Sequence, residues 1–405
     1  MCLLDSIHHT DGEKSCLPAL LSLAALSVLT SCEKTHPSKG NTPSTDPPSP
    51  SIEPSAPPLT DWPITRGTSS LQGYVDLPAP PKPSIEWTYS LESPSEAEAA
   101  VLGDTLILGD LQGLVYAFSL EKKKLLWTFA TEDTIESAPA LHAGRVFIGS
   151  SDQRFYALDL ANGEELWSID GDEKFSSSAN LLEANDSVHL LVNGYDGTTR
   201  CLDPADGSEI WTYTTRDYIN GTPALLQNRY VAFGGCDSVL HVLDATTGTA
   251  AGKITTDAQI TNSVATYQDM IYAGNYANQV VAARIGDETP TWIYQGDDFP
   301  FFTAPAVDEA HVYIGCRDKS LHAIDRETGN PAWKFSTGGR IESSPVAFRD
   351  AVIFGSSDGR LYAVDSTTGK ERWRLDLGEK LTAAPVFARN RLIIAGGRGT
   401  VFVIK

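Results

Sequence analysis

The stretch that decides the fold reads Gly355-Ser-Ser-Asp-Gly-Arg-Leu-Tyr-Ala-Val-Asp-Ser-Thr-Thr-Gly-Lys-Glu-Arg-Trp373. Asp358-Gly359 is a tight-turn signal between two alternating apolar runs, and Thr368-Gly369 marks a second hairpin before Trp373. The apolar runs are too short for helices and are rich in β-branched and aromatic residues. The stretch therefore predicts antiparallel strands joined by tight turns.

Weaker copies of this stretch recur along most of the chain, each ending in a tryptophan. Successive gaps between these tryptophans are 40, 40, 44, 81, 41 and 40 residues, and the gap of 81 is two periods with Gly252 in the place of the missing tryptophan. Each period carries four short strand signals, which is typical of a repeat of about 40 residues that forms one four-stranded propeller blade. The tryptophans of the series are Trp87, Trp127, Trp167, Trp211, Trp292, Trp333 and Trp373.

The repeat predicts an all-β fold, an eight-bladed β-propeller of four-stranded antiparallel blades, over residues 61–405. In one unit we expect strand A at 341–347, B at 351–354, C at 360–364 and D at 372–375. The last unit has no D strand, whereas residues 85–89 form a D strand with no blade before it, so pairing the two closes the ring. The first strands of the units are expected to start at Glu98, Ile135, Phe175, Ile219, Ile260, Phe301, Ile341 and Leu381.

The repeated pattern Gly-Ser-x-Asp-Gly-x-Leu-Tyr-Ala-x-Asp-x-x-Thr-Gly-Lys-x-x-Trp resembles the pyrroloquinoline quinone (PQQ) type propeller repeat. The resemblance covers about residues 62–405, and Trp62-Pro-Ile-Thr-Arg-Gly67 looks like the segment that often precedes such propellers. Two groups share this repeat: quinoprotein alcohol dehydrogenases and non-catalytic scaffolds, among them the BamB-like lipoprotein subunit of the outer-membrane β-barrel assembly machinery. The organisation of this chain is most similar to the second group.

Enzymatic function is disfavoured by what the resemblance to the dehydrogenases implies. Those enzymes are expected to carry a disulfide between adjacent cysteines, calcium ligands, a catalytic Asp and long loops around the quinone. This sequence has no adjacent cysteines and an almost constant period. We therefore predict no enzymatic activity, no catalytic residue and no bound cofactor, with a PQQ-dependent dehydrogenase as a distant alternative.

The N-terminus predicts export. Residues 17–31 are an apolar run too short to span a bilayer as a helix, and the run ends in Leu29-Thr-Ser-Cys32, which resembles a lipobox. The prediction is a lipoprotein-type signal peptide over 1–31, followed over 32–60 by a lipidated Cys32 and a disordered tether rich in Pro, Ser and Thr. An ordinary secretory signal, with Cys32 incidental, is the alternative.

Charge restricts the partners. The formal net charge of −21 argues against nucleic acid, because phosphates would be repelled. The hypothesis is a monomeric scaffold that binds protein partners in the bacterial cell envelope, held by its lipid anchor on the periplasmic face of the outer membrane.

Most repeated polar residues have structural interpretations. An aspartate at the end of each strand C is expected to accept hydrogen bonds from turn amides, not to bind metal. His241 and His322 occupy the position that Tyr362 has in its own repeat, and their two blades lie too far apart for both histidines to bind one metal ion. The three cysteines at 201, 236 and 316 are expected to remain unpaired thiols. The aspartates are Asp159, Asp203, Asp244, Asp325 and Asp365.

Two departures from the repeat are candidates for function. The first is a column at the mouth of the channel, where Glu98, Glu136 and Glu342 form a weak candidate site for a metal cation. The second is Asp297-Asp-Phe-Pro-Phe-Phe302, in which Phe299 and Phe302 are candidate anchors for a protein partner. A propeller that senses a ligand or a cation through its channel is thus the alternative to a scaffold.

Overall fold

The computed structural model describes residues 60–184, 187–260 and 262–405. The predicted signal peptide, the lipidation residue Cys32 and the tether up to residue 59 lie outside the described residues, as does Thr261. No helix in the described ranges is long and apolar enough to cross a membrane.

Eight sheets follow one another along the chain. Blades 1 to 7 each have four antiparallel strands in sequence order from the inner to the outer edge, and blade 8 has three such strands of its own. Two short N-terminal strands, β1 (Tyr74–Val75) and β2 (Ile85–Ser90), join the last two sheets. Blade 1 contains β3 (Ala100–Leu102), β4 (Thr105–Gly109), β5 (Leu114–Ser119) and β6 (Lys124–Ala130), and blade 2 contains β7 (Ala140–His142), β8 (Arg145–Gly149), β9 (Arg154–Asp159) and β10 (Glu165–Asp170). Blade 3 contains β11 (Asn180–Ala184), β12 (Ser187–Asn193), β13 (Thr198–Leu202) and β14 (Glu209–Thr214), and blade 4 contains β15 (Ala224–Leu226), β16 (Tyr230–Gly234), β17 (Val239–Asp244) and β18 (Ala250–Thr255). Blade 5 contains β19 (Ala265–Tyr267), β20 (Met270–Gly274), β21 (Gln279–Arg284) and β22 (Trp292–Gln295), and blade 6 contains β23 (Ala306–Val307), β24 (His311–Gly315), β25 (Ser320–Asp325) and β26 (Pro331–Ser336). Blade 7 contains β27 (Val346–Phe348), β28 (Ala351–Gly355), β29 (Arg360–Asp365) and β30 (Glu371–Asp376), and blade 8 contains β31 (Val386–Ala388), β32 (Arg391–Ala395) and β33 (Thr400–Ile404).

The predicted eight-bladed β-propeller is confirmed, and so is the way in which the ring closes. Strand β2 pairs antiparallel with β33, with Trp87 opposite Val403, and it supplies the outer strand that blade 8 lacks. The missing tryptophan is also where the repeat predicted, because Gly252 pairs with Val242 as Trp373 pairs with Ala363. Closure therefore covers the edge of β33, and β2 becomes the outer strand of blade 8 as in the other blades.

The inner strands are shorter than predicted. In blade 7 the inner strand begins at Val346, not at Ile341. The amide of Ile341 donates to the carbonyl of Cys316 in the preceding blade, and Pro345 has no N–H to give to a ladder. This part of the repeat therefore connects neighbouring blades, and within its own blade it makes only isolated bonds, such as that from the Ser357 amide to the Arg340 carbonyl.

Residues 60–75, called the inner segment below, run along the inner strands of the propeller. Its backbone carbonyls accept amide hydrogen bonds from inner strands of several blades, and β1 pairs parallel with β27. Sequence analysis did not predict this path. The bonds run from Arg389 to Thr60, Val101 to Trp62, Leu141 to Pro63, Leu225 to Ser69, Thr266 to Ser70, Val307 to Gln72 and Ala347 to Gly73.

The tryptophans pack between neighbouring blades. Trp127 donates from Nε1 to the Leu160 carbonyl of the next blade, and its ring lies against Gly163, which has a φ of +77°. A Cβ at Gly163 would come within 2.5 Å of that ring, so the turn requires glycine both for its conformation and for its space. The same pairing recurs for Trp167, Trp211, Trp292 and Trp333 with Gly207, Gly248, Gly329 and Gly369.

Candidate functional site

The centre of the propeller encloses a cavity of about 380 Å³. Two layers of side chains line its wall because each chain segment that enters an inner strand contributes residues two apart, which point to the same side. The upper layer contains Glu96, Glu136, Ser176, Asn220, Phe302, Glu342 and Thr382, and the lower layer contains Glu98, Ala138, Ser178, Thr222, Ser263, Ala304, Ser344 and Ala384.

The structure corrects the position of Glu98 in the predicted column. Ala100 begins the inner strand of blade 1 as Ala140 begins that of blade 2, so Glu96 is the equivalent of Glu136. Glu98 is buried one layer deeper. Its carboxylate accepts hydrogen bonds from Trp62 Nε1 at 2.6 Å, from the Thr65 hydroxyl at 2.9 Å and from a backbone amide of the inner segment. Glu98 thus fastens the inner segment to blade 1.

The corrected acidic group at the mouth of the cavity is Glu96, Glu136 and Glu342. Glu136 pairs with Lys174 at 2.7 Å, and Glu342 pairs with Arg317 at 2.6 Å. The pKa of Glu96 is raised by desolvation and by the negative charges of Glu136 and Glu342. The three carboxylates therefore interact across the mouth, and two of them already have a basic partner.

Arg66 of the inner segment lies at the opposite end of the cavity. Its guanidinium is buried, and Nη2 donates to the backbone carbonyls of Pro305 and Pro345 in blades 6 and 7. In the described part of the chain, Nε and Nη1 have no hydrogen-bond partner. Burial lowers the pKa of Arg66, while the charge of Glu98 works in the opposite direction. The lower end of the cavity therefore contains a buried cation whose charge is opposed by the nearby Glu98 carboxylate, while the mouth carries the three other carboxylates.

Hydroxyl groups of the lower layer connect neighbouring blades. Ser178 Oγ accepts the amide of Ala138 at 2.8 Å, and Ser344 Oγ accepts the amide of Ala304 at 3.0 Å. Thr222 and Ser263 accept amides from blades 3 and 4 in the same way. These side chains have structural roles that explain why small hydroxyl residues recur beside the channel.

Aromatic side chains are exposed at blades 5 and 6, and we define the aromatic cluster as Tyr276, Phe299, Phe302 and Arg317. Phe302 and Arg317 line the mouth of the cavity, whereas Phe299 lines a separate surface cleft beside Asp318 and Lys334. The Phe302 ring meets Tyr276 edge to face at 5.3 Å between centroids, and Arg317 lies 4.2 Å from the centre of the Phe302 ring. Phe299 is 41% exposed and Tyr276 is 38% exposed. Phe301 is buried. Phe299 and Phe302 were predicted from the sequence, but Tyr276 and Arg317, which contact the Phe302 ring, were not, because they belong to turns distant in sequence.

The other repeated polar residues behave as interpreted from the sequence. The Asp365 carboxylate accepts the amides of Thr367 and Thr368, and Asp159, Asp203, Asp244 and Asp325 bind turn amides likewise. His241 and His322 each bond to an aspartate of their own blade. The cysteines at 201, 236 and 316 are buried and form no disulfide.

The fold and the channel define an eight-bladed propeller of the PQQ repeat type. Residues 144–405, more than half of the chain, match the family described as "Beta-alanine-activating enzyme, beta-propeller". The chain belongs to this β-propeller family. None of the curated proteins compared with the chain matches it.

Solved structures share the fold at low sequence identity. BamB from Moraxella catarrhalis is 21% identical, with a TM-score of 0.68, over 80% of this chain and 98% of BamB. A quinohemoprotein alcohol dehydrogenase from Comamonas testosteroni is 14% identical, with a TM-score of 0.74, over 85% of this chain and 80% of that enzyme. A europium-containing methanol dehydrogenase is 12% identical, with a TM-score of 0.70, over 85% of this chain and 98% of that enzyme. BamB and two dehydrogenases thus share this fold.

Proposed function

We propose that the chain is a non-catalytic lipoprotein of the bacterial cell envelope that acts as a protein-interaction scaffold and assists outer-membrane protein assembly. In this proposal the leader is cleaved before Cys32, the cysteine carries lipid, and residues up to 60 tether the propeller to the periplasmic face of the outer membrane. The fold shared with BamB supports the assignment. The observation that carries it is the aromatic cluster at blades 5 and 6.

The aromatic cluster has the composition of a protein-binding hot spot. Aromatic residues and arginine are the side chains most enriched among the interface residues that contribute most of the binding free energy. Phe299 is exposed although the apolar side chain of Phe301 two positions later is buried. Because Arg317 lies over the Phe302 ring and bonds to Glu342, the cluster is held in place before any partner arrives.

Co-purification of the full chain from gently solubilised membranes tests this function. We expect proteins of the outer-membrane assembly machinery among the bound proteins, and we expect Phe299→Ala combined with Tyr276→Ala to release them. Leu166→Ala is the matched control, since Leu166 is 46% exposed on the outer strand of blade 2. Retention of every partner by the double variant would reject the cluster as the anchor, and partners unrelated to assembly would reject the assembly role.

Labelling with a radioactive fatty acid tests the anchor separately. The wild-type chain should incorporate label and fractionate with membranes, whereas Cys32→Ser should do neither. Incorporation of label by Cys32→Ser would refute lipidation at this residue.

A sensor propeller is the second candidate, and it is favoured by the interacting carboxylates at the mouth. Burial raises the pKa of Glu96, and the negative charges of Glu136 and Glu342 raise it further. Calcium titration by calorimetry should give heat for the wild type and none for Glu96→Gln. A wild-type protein without heat would reject the cation site.

A PQQ-dependent dehydrogenase is the third candidate because two of the structural neighbours are such enzymes. Incubation with PQQ, calcium, an alcohol and a dye acceptor decides this point. Dye reduction above the level without PQQ would overturn the non-catalytic proposal.

A further inference from the structure

Blade 6 brings together three potential metal ligands away from the channel. Cys316 follows β24, Asp318 lies in the turn, and His322 points from β25 toward that turn. One ligand atom of each residue lies within 4.8 Å of the other two. In the described ranges, no other group of three such residues comes together in this way.

The orientation of His322 suits a ligand. Its Nε2 lies 3.0 Å from Asp318 Oδ2, and its Nδ1 lies 2.9 Å from the Tyr294 hydroxyl. When Nδ1–H donates to the tyrosine oxygen, the lone pair of Nε2 faces the carboxylate and the thiol. Metal-binding histidines are typically fixed by such a bond on the opposite ring nitrogen.

The repeat itself does not require this combination. In blade 7 the equivalent residues are Ser356, Asp358 and Tyr362, and the tyrosine hydroxyl simply donates to the aspartate at 2.7 Å. Blade 4 has the pair Asp237 and His241, but glycine takes the place of the cysteine. Blade 6 alone adds a thiol to the histidine and the carboxylate.

We propose that Cys316, Asp318 and His322 bind a divalent transition metal of the zinc type. Thiolate, imidazole and carboxylate are the three ligand types that Zn²⁺ takes in proteins, at about 2.0–2.3 Å from the metal. Ligand atoms within 4.8 Å of one another reach these distances by side-chain adjustments of about 1 Å. The fourth position is left for water.

A surface cleft leads to the site, so that a metal ion can enter from solvent. Asp297, Phe299 and Lys334 line it together with Asp318. Lys334 Nζ lies 2.7 Å from Asp318 and 3.0 Å from Asp297, and its ammonium neutralises both carboxylates. A bound metal takes over that role at Asp318, and the ammonium moves toward Asp297.

Titration of the full chain with Co²⁺ tests the site, because a cobalt–thiolate bond produces an intense near-ultraviolet charge-transfer band. We expect this band at one equivalent of Co²⁺ and its loss when Zn²⁺ is added. Cys316→Ser and His322→Tyr should abolish it. Both substitutions introduce the residue found at the equivalent position of blade 7, Ser356 or Tyr362, so we expect them to preserve the fold.

Two further variants sharpen the test. Lys334→Met should bind Co²⁺ about tenfold more tightly, because the competing ammonium is gone. Cys236→Ser should leave the band unchanged, since that cysteine belongs to blade 4. Lack of the band in the wild type, or its persistence in Cys316→Ser, would overturn the proposed site.

Discussion

At the scale of single residues, one hydrogen bond explains why tyrosine, aspartate and histidine recur. Tyr116, Tyr156 and Tyr362 each donate from the hydroxyl to an aspartate in the preceding turn, at 2.7–2.8 Å. His241 and His322 reach the equivalent aspartates through Nε2, at 2.8 and 3.0 Å. A histidine at this position therefore substitutes for tyrosine in a structural bond.

This equivalence predicts the effect of substitutions at His241. His241→Tyr should leave the free energy of unfolding within about 0.5 kcal/mol of the wild type, because the hydroxyl reaches Asp237. His241→Leu should lower it by about 1–3 kcal/mol, because a largely buried carboxylate loses its partner. Urea unfolding followed by tryptophan fluorescence measures both. Equal stability of the two variants would contradict the interpretation.

Residue roles were predictable where the repeat is intact. The turn aspartates were assigned correctly because their position relative to Thr-Gly or Asn-Gly is constant. Glu98 was misplaced because blade 1 has Ala99 where blades 2 and 7 have Pro139 and Pro345, so the sequence marker of the register is absent. Only the strand bounds show that Glu96 belongs in the upper layer.

At the scale of elements, β2 is attached to blade 8 by charge as well as by its ladder. Glu86 in β2 accepts from Arg391 Nε of β32 at 2.7 Å and lies 3.0 Å from Lys123 of blade 1. The hydrogen bond from Arg391 is the main reason why the pKa of Glu86 falls to about 2. The closing strand is thus tied to both of its neighbours.

The lowered pKa of Glu86 predicts a pH dependence. Because the carboxylate is held below its unfolded-state pKa of 4.5, its stabilisation is fully present above that pH and is lost as the pH falls toward 2. Glu86→Gln should reduce the free energy of unfolding by about 1 kcal/mol at pH 7 and by much less near pH 2. Denaturant unfolding over this pH range measures the difference. A constant difference at every pH would refute the prediction.

The tryptophan of the closing strand differs from its equivalents. Trp373 donates from Nε1 to the Pro80 carbonyl at 2.7 Å, whereas Trp87 Nε1 has no partner in the described structure. Lys123, with a φ of +53°, takes the turn position that is glycine in blades 2, 3, 4, 6 and 7. The join between the ends of the chain therefore lacks one bond of the regular blade interface.

This difference predicts unequal costs for the same substitution. Trp373→Phe should cost about 1 kcal/mol more than Trp87→Phe, because only the first loses a hydrogen bond. Thermal and urea unfolding of the two variants provide the comparison. A larger loss for Trp87→Phe would show that the bond is not what distinguishes the two sites.

At the scale of the whole molecule, the inner segment connects blades that share no ladder. Gly73, with a φ of +57°, lies under the Arg66 guanidinium that bonds to blades 6 and 7, and a Cβ there would come within 2.0 Å of Arg66. Gly103 has a similar φ of +60° but open space around it. Comparing substitutions at the two glycines therefore separates the cost of the backbone conformation from the cost of a steric clash.

Gly73→Ala should therefore destabilise the propeller by about 3 kcal/mol or more, while Gly103→Ala should cost about 1 kcal/mol. The first variant combines backbone strain with displacement of Arg66, and the second has strain alone. Calorimetric unfolding measures both. Equal costs would mean that Arg66 does not need its present position.

The global architecture was predictable because the blade repeats, so that every copy supports the same strand assignment. The count of eight and the pairing of β2 with β33 followed from the incomplete first and last units. The path of the inner segment was not predictable, since its bonds are made by backbone carbonyls and leave no apolar periodicity in residues 60–75. The aromatic cluster likewise joins turns that only the closed ring brings together.

Closure of the ring by β2 and β33 also restricts the order in which the protein can fold. Glu86 and Arg391 are 305 positions apart, and Arg66 and Pro345 are 279 apart. Contacts of such separation form late because a long loop must close first. The blades can assemble one by one as the chain emerges, but β2 has no partner until the last strand, β33, is made. A ribosome-bound chain that ends before β33 is then an open ring with an unpaired strand edge. Until the C-terminus is released, a chaperone bound to the nascent chain would have to protect that edge from aggregation.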